Sequence, residues 1–177
     1  IHHYAIHGCL YQSSILNRLV ADIISTIILT QDFKGYHVDH LKYHHSVRDF
    51  AKLTDPDAAF LAYLGFLPGK SKAELWKLLV CTVISPHYHY VFLMARIRAN
   101  FLNAPAYRRL MSYIWWSLVL ILSIKQGVLT EIFIAYVIPV LFLYQISAVI
   151  QFLSEHLWFA EKRKDETHKQ FHLRCSW

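Results

Sequence analysis

Two long apolar runs separated by one tight turn constrain this chain more than anything else in it. Residues 110–124 carry no charge and are flanked by Arg108, Arg109 and Lys125. After Lys125-Gln126-Gly127, residues 128–153 are again apolar, with Glu131 near the start and Pro139 inside. A helical bilayer crossing needs about 20 apolar residues, and membrane helices tolerate an internal proline. With modest extension of the first run, the pair predicts a transmembrane helical hairpin. Composition agrees: 55% of the 177 residues are hydrophobic and only 17% are charged, against ~25% in soluble domains. The net charge of +6 does not form one stripe. The basic residues gather at the ends of apolar runs, which favours a lipid bilayer as the partner and argues against nucleic acid.

The expected fold class is all-α: an integral membrane helical protein with one transmembrane hairpin plus interfacial helices. Arg96, Arg98, Arg108 and Arg109 precede the hairpin, Lys162, Arg163 and Lys164 follow it, and only Lys125 lies at its tip. That bias places both open ends in the cytoplasm. Residues 15–30 carry Asn17, Arg18 and Asp22 and read as a helix at the interface or dipping partway in. Residues 74–100 are interrupted by Lys77, Pro86, His87 and His89, and read as two interfacial or partly buried helices meeting at Pro86. Residues 58–67 form a short apolar element closed by Pro68-Gly69. Cys9, Cys81 and Cys175 are far apart and form no CxxC, so a disulfide framework is not expected and a reducing compartment is. The chain opens at Ile1 without Met or a signal peptide and closes in HLRCSW. A single domain over 1–177, incomplete at both ends, is the expectation.

Histidines supply the chemistry. His37, His40, His44 and His45 fall within nine residues. On an α-helix His40 and His44 share a face, with His45 about 100° further round. His3 and His7 form a second i,i+4 pair. Histidine is the commonest metal ligand, so such clusters can converge on one or two ions. An even number of crossings between them brings His156, at the end of the hairpin, back to the side of His40 and His44. Asp55 and Asp57, in an Asp-Pro-Asp turn, read first as a helix cap, with orientation of a ligand imidazole as the alternative. His87 and His89, two residues apart, face different ways on a helix and are not expected to be ligands. His168 and His172 have ligand spacing, but a solvated helix face is the preferred reading.

HxxxH beside an apolar segment, HxxxHH followed by an Asp-Pro turn, and Glu-His after a hydrophobic hairpin together resemble the integral-membrane di-iron fatty acid desaturases and hydroxylases. The resemblance covers nearly the whole chain. His3-Tyr-Ala-Ile-His7-Gly is similar to the first histidine box of that family and His40-Leu-Lys-Tyr-His44-His45 to the second, in its longer-spaced form. Glu155-His156 is similar to the element that precedes the last box. FKGYHVDHLKYHH and LYQSSILNRL resemble bacterial members. The resemblance implies a cytoplasmic metal site with His3, His7, His40, His44, His45 and His156 as ligands and no further catalytic groups. It implies two Fe ions as cofactor, O2 as co-substrate and a fatty acyl substrate. The external electron donor would be a ferredoxin or cytochrome b5-type protein, since the chain has no GxGxxG and no Fe–S cysteine pattern. Two departures stand out. The family's final HxxHH box does not follow His156, so six ligands alone are not expected to hold a competent di-iron pair. His37 is extra, one turn before His40, and suits a supporting position.

The function that follows is an O2-dependent desaturase placing a double bond in an acyl chain. A hydroxylase of alkanes, carotenoids or lipids is the alternative from the same superfamily. A membrane metal transporter or metal-binding protein would need ionisable groups inside the spanning helices, and the hairpin offers only Ser117, Ser123, Gln145 and the terminal Glu131. Tyr113, Trp115 and Trp116 are candidates to line an acyl tunnel, with an interfacial belt or helix packing the preferred role.

Overall fold

The computed structural model describes residues 1–46 and 48–176, and among them there is no β-strand. Ten α-helical elements follow in order: α1 (His2–Ile6), α2 (Ser14–Ile28), α3 (Phe33–His37), α4 (Pro56–Tyr63), α5 (Lys72–Ile84), α6 (Pro86–Ile97), α7 (Ala106–Gln126), α8 (Leu129–Ile132), α9 (Tyr144–Glu155) and α10 (His168–Cys175). Wider π-helical turns extend α3 over Val38–His44 and α6 over Arg98–Leu102, and join α8 to α9 over Phe133–Val137 and Pro139–Leu143. The all-α class is as expected.

Local signals set the boundaries. Ser13 caps α2, and Ser71 with Glu74 forms a full capping box at α5. Asp55 caps α4, with Pro56 in the first turn, where its missing N–H costs nothing. Gly127, at φ 69°, ends α7 in the left-handed conformation that glycine adopts without strain. Among the described residues one helix, Leu129–Glu155, is long and apolar enough to cross a membrane, with 27 residues and an 18-residue stretch of mean hydropathy 2.2. α5 and the helix Pro86–Leu102 reach that standard only as a bent pair broken at Ser85, the two-helix arrangement expected at Pro86. α7 has 21 residues but includes Arg108, Arg109 and Lys125, so the first arm of the expected hairpin does not qualify as a span by itself.

Two compact units divide the chain, Ile1–His37 with His89–Tyr144, and Val38–Tyr88 with Gln145–Trp177. In the first, α7 and the helix beyond Gly127 turn back along each other. The Trp116 ring stacks on Tyr136 at 5.3 Å, and Trp115 Nε1 donates to the Tyr136 hydroxyl at 3.0 Å. α2 ends in this unit without water-facing carbonyls. Trp116 Nε1 donates to Thr26 O (3.1 Å), Tyr136 OH to Ile27 O (2.5 Å), and Arg96 to Ile28 O and, at 2.9 Å, to Leu29 O. Asn100 Nδ2 then donates to Thr30 O at 3.1 Å. Five successive carbonyls are thus bound by side chains, which lets a helix terminate where lipid or protein replaces water. Arg96 also reaches Val140 O, in the π-helical stretch of the long helix, at 2.5 Å. Arg108, fully buried, ties Ser25, Asn100 and Ser112 together.

The second unit has a small core of Phe50, Ala51, Phe171 and Cys175, with Trp158 and Ala160 packed against it. Its chain ends meet in an antiparallel bridge between His156 and Ser176, and Leu157 N donates to Cys175 O at 2.8 Å. These contacts seat α10 over the segment that follows the long helix.

Candidate metal centre

The π-helical turn at Val38–His44 shapes the second histidine cluster. Its closing bond runs from His45 N to His40 O, an i→i+5 link of 2.8 Å. Such a link lifts residue i+5 over residue i, whereas an α-helix would swing it well to the side. His45 is therefore not about 100° round from its neighbours, as an α-helix requires. Its Nε2 lies 2.9 Å from His40 Nε2, with the rings 4.5 Å apart and nearly perpendicular. His40 and His44 stack at 5.1 Å, and both are buried.

His44 points the other way, to the far end of the chain. Its Nε2 stands 3.0 Å from His156 Nε2. The partner on its Nδ1 is the Asp55 carboxylate at 2.9 Å, with Asp57 at 3.6 Å. A carboxylate only accepts, so Nδ1 carries the proton and the Nε2 lone pair of a neutral ring faces His156. His156 is held in a matching way: Ser176 Oγ lies 3.3 Å from its Nδ1. With Nδ1 donating to that hydroxyl, a neutral His156 presents its Nε2 lone pair to His44.

With the Nδ1 atoms engaged, the two Nε2 atoms at 3.0 Å either share a proton as an N–H···N bond or hold a cation between them. The surroundings favour positive charge at this point. Burial pushes His44 down, but the Asp55 hydrogen bond and the charges of Asp55, Asp57 and Glu155 outweigh it and raise its pKa. Burial and the His44 charge together push His156 down. Burial, with Asp55 and Glu155 nearby and His44 opposing, lifts Asp57 to about 6. Nitrogens 3.0 Å apart also suit a shared ion: metal–imidazole bonds of about 2.1 Å would meet it at nearly a right angle. The donor set therefore fits a metal.

Asp55 turns out to combine both readings of the Asp-Pro-Asp turn. It is fully buried. Its Oδ1 accepts from Asp57 N at 3.0 Å as the α4 cap, and its Oδ2 accepts from His44 and, at 3.2 Å, from Ala51 N. His44, Asp55 and Asp57 form a compact donor group within 4.8 Å, but the Asp55 oxygens are already committed, so Asp55 orients His44.

Phe50 and Trp158 wall the pair. The Phe50 ring stands steeply inclined to His156 (5.2 Å) and His44 (5.6 Å), and Trp158 packs on both rings, at 5.1 and 5.9 Å. His172 stacks on Phe50 at 4.1 Å. It is therefore not on the solvated face expected of the tail, and only its partner His168 is exposed. Nothing in the spacing of Phe50, Trp158 or Ser176 marks them in the sequence, since tertiary folding brings Phe50 and Ser176 to His156 and Trp158 to His44.

His3 and His7 belong to the first unit, where their rings lie 4.8 Å apart on α1, the face-sharing pair that the spacing predicts. His37, also in that unit, packs on Phe33 at 5.9 Å. His87 Nε2 meets the Tyr63 hydroxyl at 3.2 Å, and His89 lies 5.6 Å from the Phe142 ring.

The first unit also carries an open pocket of about 660 Å³, lined almost wholly by apolar side chains of α6, α7 and the Leu129–Glu155 helix, including Leu93, Ile97, Trp116, Phe133 and Leu141. Of the three aromatics considered for a tunnel, Trp116 lines it. Trp115 binds Tyr136, and the Tyr113 hydroxyl donates to Phe101 O at 3.3 Å.

Compared with known proteins, residues 1–177 match the family model described as fatty acid desaturase. No curated protein and no solved structure matches the chain.

Proposed function

The chain belongs to the fatty acid desaturase family, and on that premise we propose that it is a membrane-bound, O2-dependent di-iron desaturase introducing a double bond into a fatty acyl chain. Membership makes it one of a membrane-bound family of desaturase- and hydroxylase-type oxidoreductases. The observation that carries the reading to a metal is the His44–His156 pair, two imidazoles with Nε2 atoms 3.0 Å apart and their Nδ1 atoms already engaged. His40 and His45 would hold metal beside them, and His3 and His7 are the remaining ligands in this proposal. When bound, iron supplies the O2-dependent oxidation of an unactivated methylene, and no group of this chain replaces it.

The residues around the metal orient and exclude. Asp55 keeps the proton on His44 Nδ1, so that Nε2 stays a ligand. Phe50 and Trp158 keep water from the pair on the side they cover. The apolar pocket lined by Trp116 suits an acyl chain, because it offers contact without hydrogen-bonding groups that would hold water. In this proposal Leu129–Glu155 and α7 together cross the bilayer and leave the histidines on the cytoplasmic side. An external ferredoxin or cytochrome b5-type donor delivers the electrons.

The test is mass-spectrometric lipid analysis of a host expressing the full-length gene, beside a His44→Ala control. A new unsaturated acyl chain, lost in the control, is the expected result. A new alcohol instead would assign the chain to the hydroxylases, and an unchanged lipid profile with the donor supplied would refute the proposal.

A further inference from the structure

We propose that the tail, Thr167 to Ser176, is the orienting shell of His156, with Ser176 as a positioning residue for it. The inference rests on the reading of His44 and His156 as metal ligands. It assigns a part to a segment that no histidine-box pattern includes.

The geometry is specific. His156 ends the long helix and has lost helical support on its C-terminal side, since α9 closes at Glu155. An imidazole there would rotate freely about its side-chain bonds. The tail stops it at three points. The antiparallel bridge between His156 and Ser176 aligns the two backbones, with Leu157 N bound to Cys175 O at 2.8 Å. The Ser176 hydroxyl then meets the Nδ1 side of the ring, the side that faces away from His44. Finally, Phe50 is clamped between His172, stacked at 4.1 Å, and the steeply inclined His156 ring at 5.2 Å.

α10 is built to hold this position. Thr167 and Gln170 form a capping box at its start. Phe171 and Cys175, one turn apart, are both buried against Phe50 and Ala51, and Arg174 is locked to Glu166 through two bonds of 2.8 and 3.0 Å. A metal-bound histidine ordinarily donates its second ring N–H to a carboxylate, a backbone carbonyl or water. His44 has the carboxylate, from Asp55. His156 has a hydroxyl, from Ser176 of the tail. The two ligands of one pair are thus oriented from segments more than a hundred residues apart in the sequence.

His172 in this arrangement is a ring that packs, not a ligand. Its contact is the face of Phe50, so a phenyl ring serves as well as an imidazole.

The test uses anaerobic Co(II) titration of the purified full-length protein, following both affinity and the visible d–d band, with circular dichroism as a check on folding. Ser176→Ala should weaken Co(II) binding about tenfold, the lower end of what outer-shell partners contribute, and alter the band. Ser176→Thr, which retains the hydroxyl, should restore both. His172→Phe should leave affinity and stoichiometry unchanged. The inference is overturned if Ser176→Ala binds Co(II) like the wild type, or if His172→Phe loses an equivalent of metal, which would make His172 a ligand. A wild-type protein that binds no Co(II) would instead overturn the metal-site reading beneath it.

Discussion

Replacing Asp55 by Asn removes one charge and one acceptor while keeping the shape, and the structure fixes what that must cost. Three N–H groups converge on this fully buried carboxylate: His44 Nδ1 at 2.9 Å, Ala51 N at 3.2 Å and Asp57 N at 3.0 Å. An Asn side chain accepts through one oxygen only. If that oxygen stays with His44 and Ala51, its amide N–H₂ faces the Asp57 N–H and the α4 cap is lost. If it turns to the cap, the N–H₂ faces His44 Nδ1. Either way at least one buried donor goes unmet, at about 1–3 kcal/mol, and a charge-assisted bond becomes a neutral one, at about 1 kcal/mol more. We expect Asp55→Asn to lose about 2–4 kcal/mol of stability in denaturant melts of the detergent-solubilised protein. Where His44 is released, Co(II) affinity should fall about 10–100-fold. Stability within about 0.5 kcal/mol of wild type, with unchanged metal affinity, would refute the double role of Asp55.

Other consequences follow from the same contacts. Arg96→Met strips the Ile28, Leu29 and Val140 carbonyls of their donors at a buried site. At about 1–3 kcal/mol for each unmet group, it should destabilise the solubilised protein by several kcal/mol in the same melts, and a loss below about 1 kcal/mol would show that water reaches the end of α2. Glu166 is held down to about 2 by its paired bonds to Arg174, from an ordinary 4.5. A depressed folded-state pKa stabilises above the unfolded value and is lost as pH falls through the folded one. Hydrogen-exchange protection of α10 should therefore hold from pH 7 to about 4.5 and decline between 4.5 and about 2. Glu166→Gln should abolish that decline, and an identical decline in the variant would assign it to another group.

Much of the fold was legible because it follows from composition and caps. The apolar run after Gly127, the break at Pro86 and the cap at Asp55 each depend on residues close in sequence. The end of α2 was legible only in part: Asn17, Arg18 and Asp22 signalled that this helix is not apolar enough to span by itself. The donors that finish it, from Arg96, Asn100, Trp116 and Tyr136, are more than sixty residues away. The site divides in the same manner. Histidine spacing pointed to His40, His44 and His45, but straight α-helical geometry misplaced His45, because a π-helical turn leaves no signature in the spacing. His172 was misjudged for another reason. Its stacking partner, Phe50, is brought to it by tertiary packing, against which a local charge pattern carries no information. Asp55 offered two readings, and one carboxylate with two oxygens satisfies both.

Iron content is the most direct test of the metal centre. We would measure iron per chain in the full-length protein purified anaerobically from membranes, beside His156→Ala and His87→Ala. Wild type and His87→Ala should retain the same iron, and His156→Ala should lose it, because His44 Nε2 would then face an empty position. Equal iron in His156→Ala and the wild type would contradict the assignment of His44 and His156 to a shared metal.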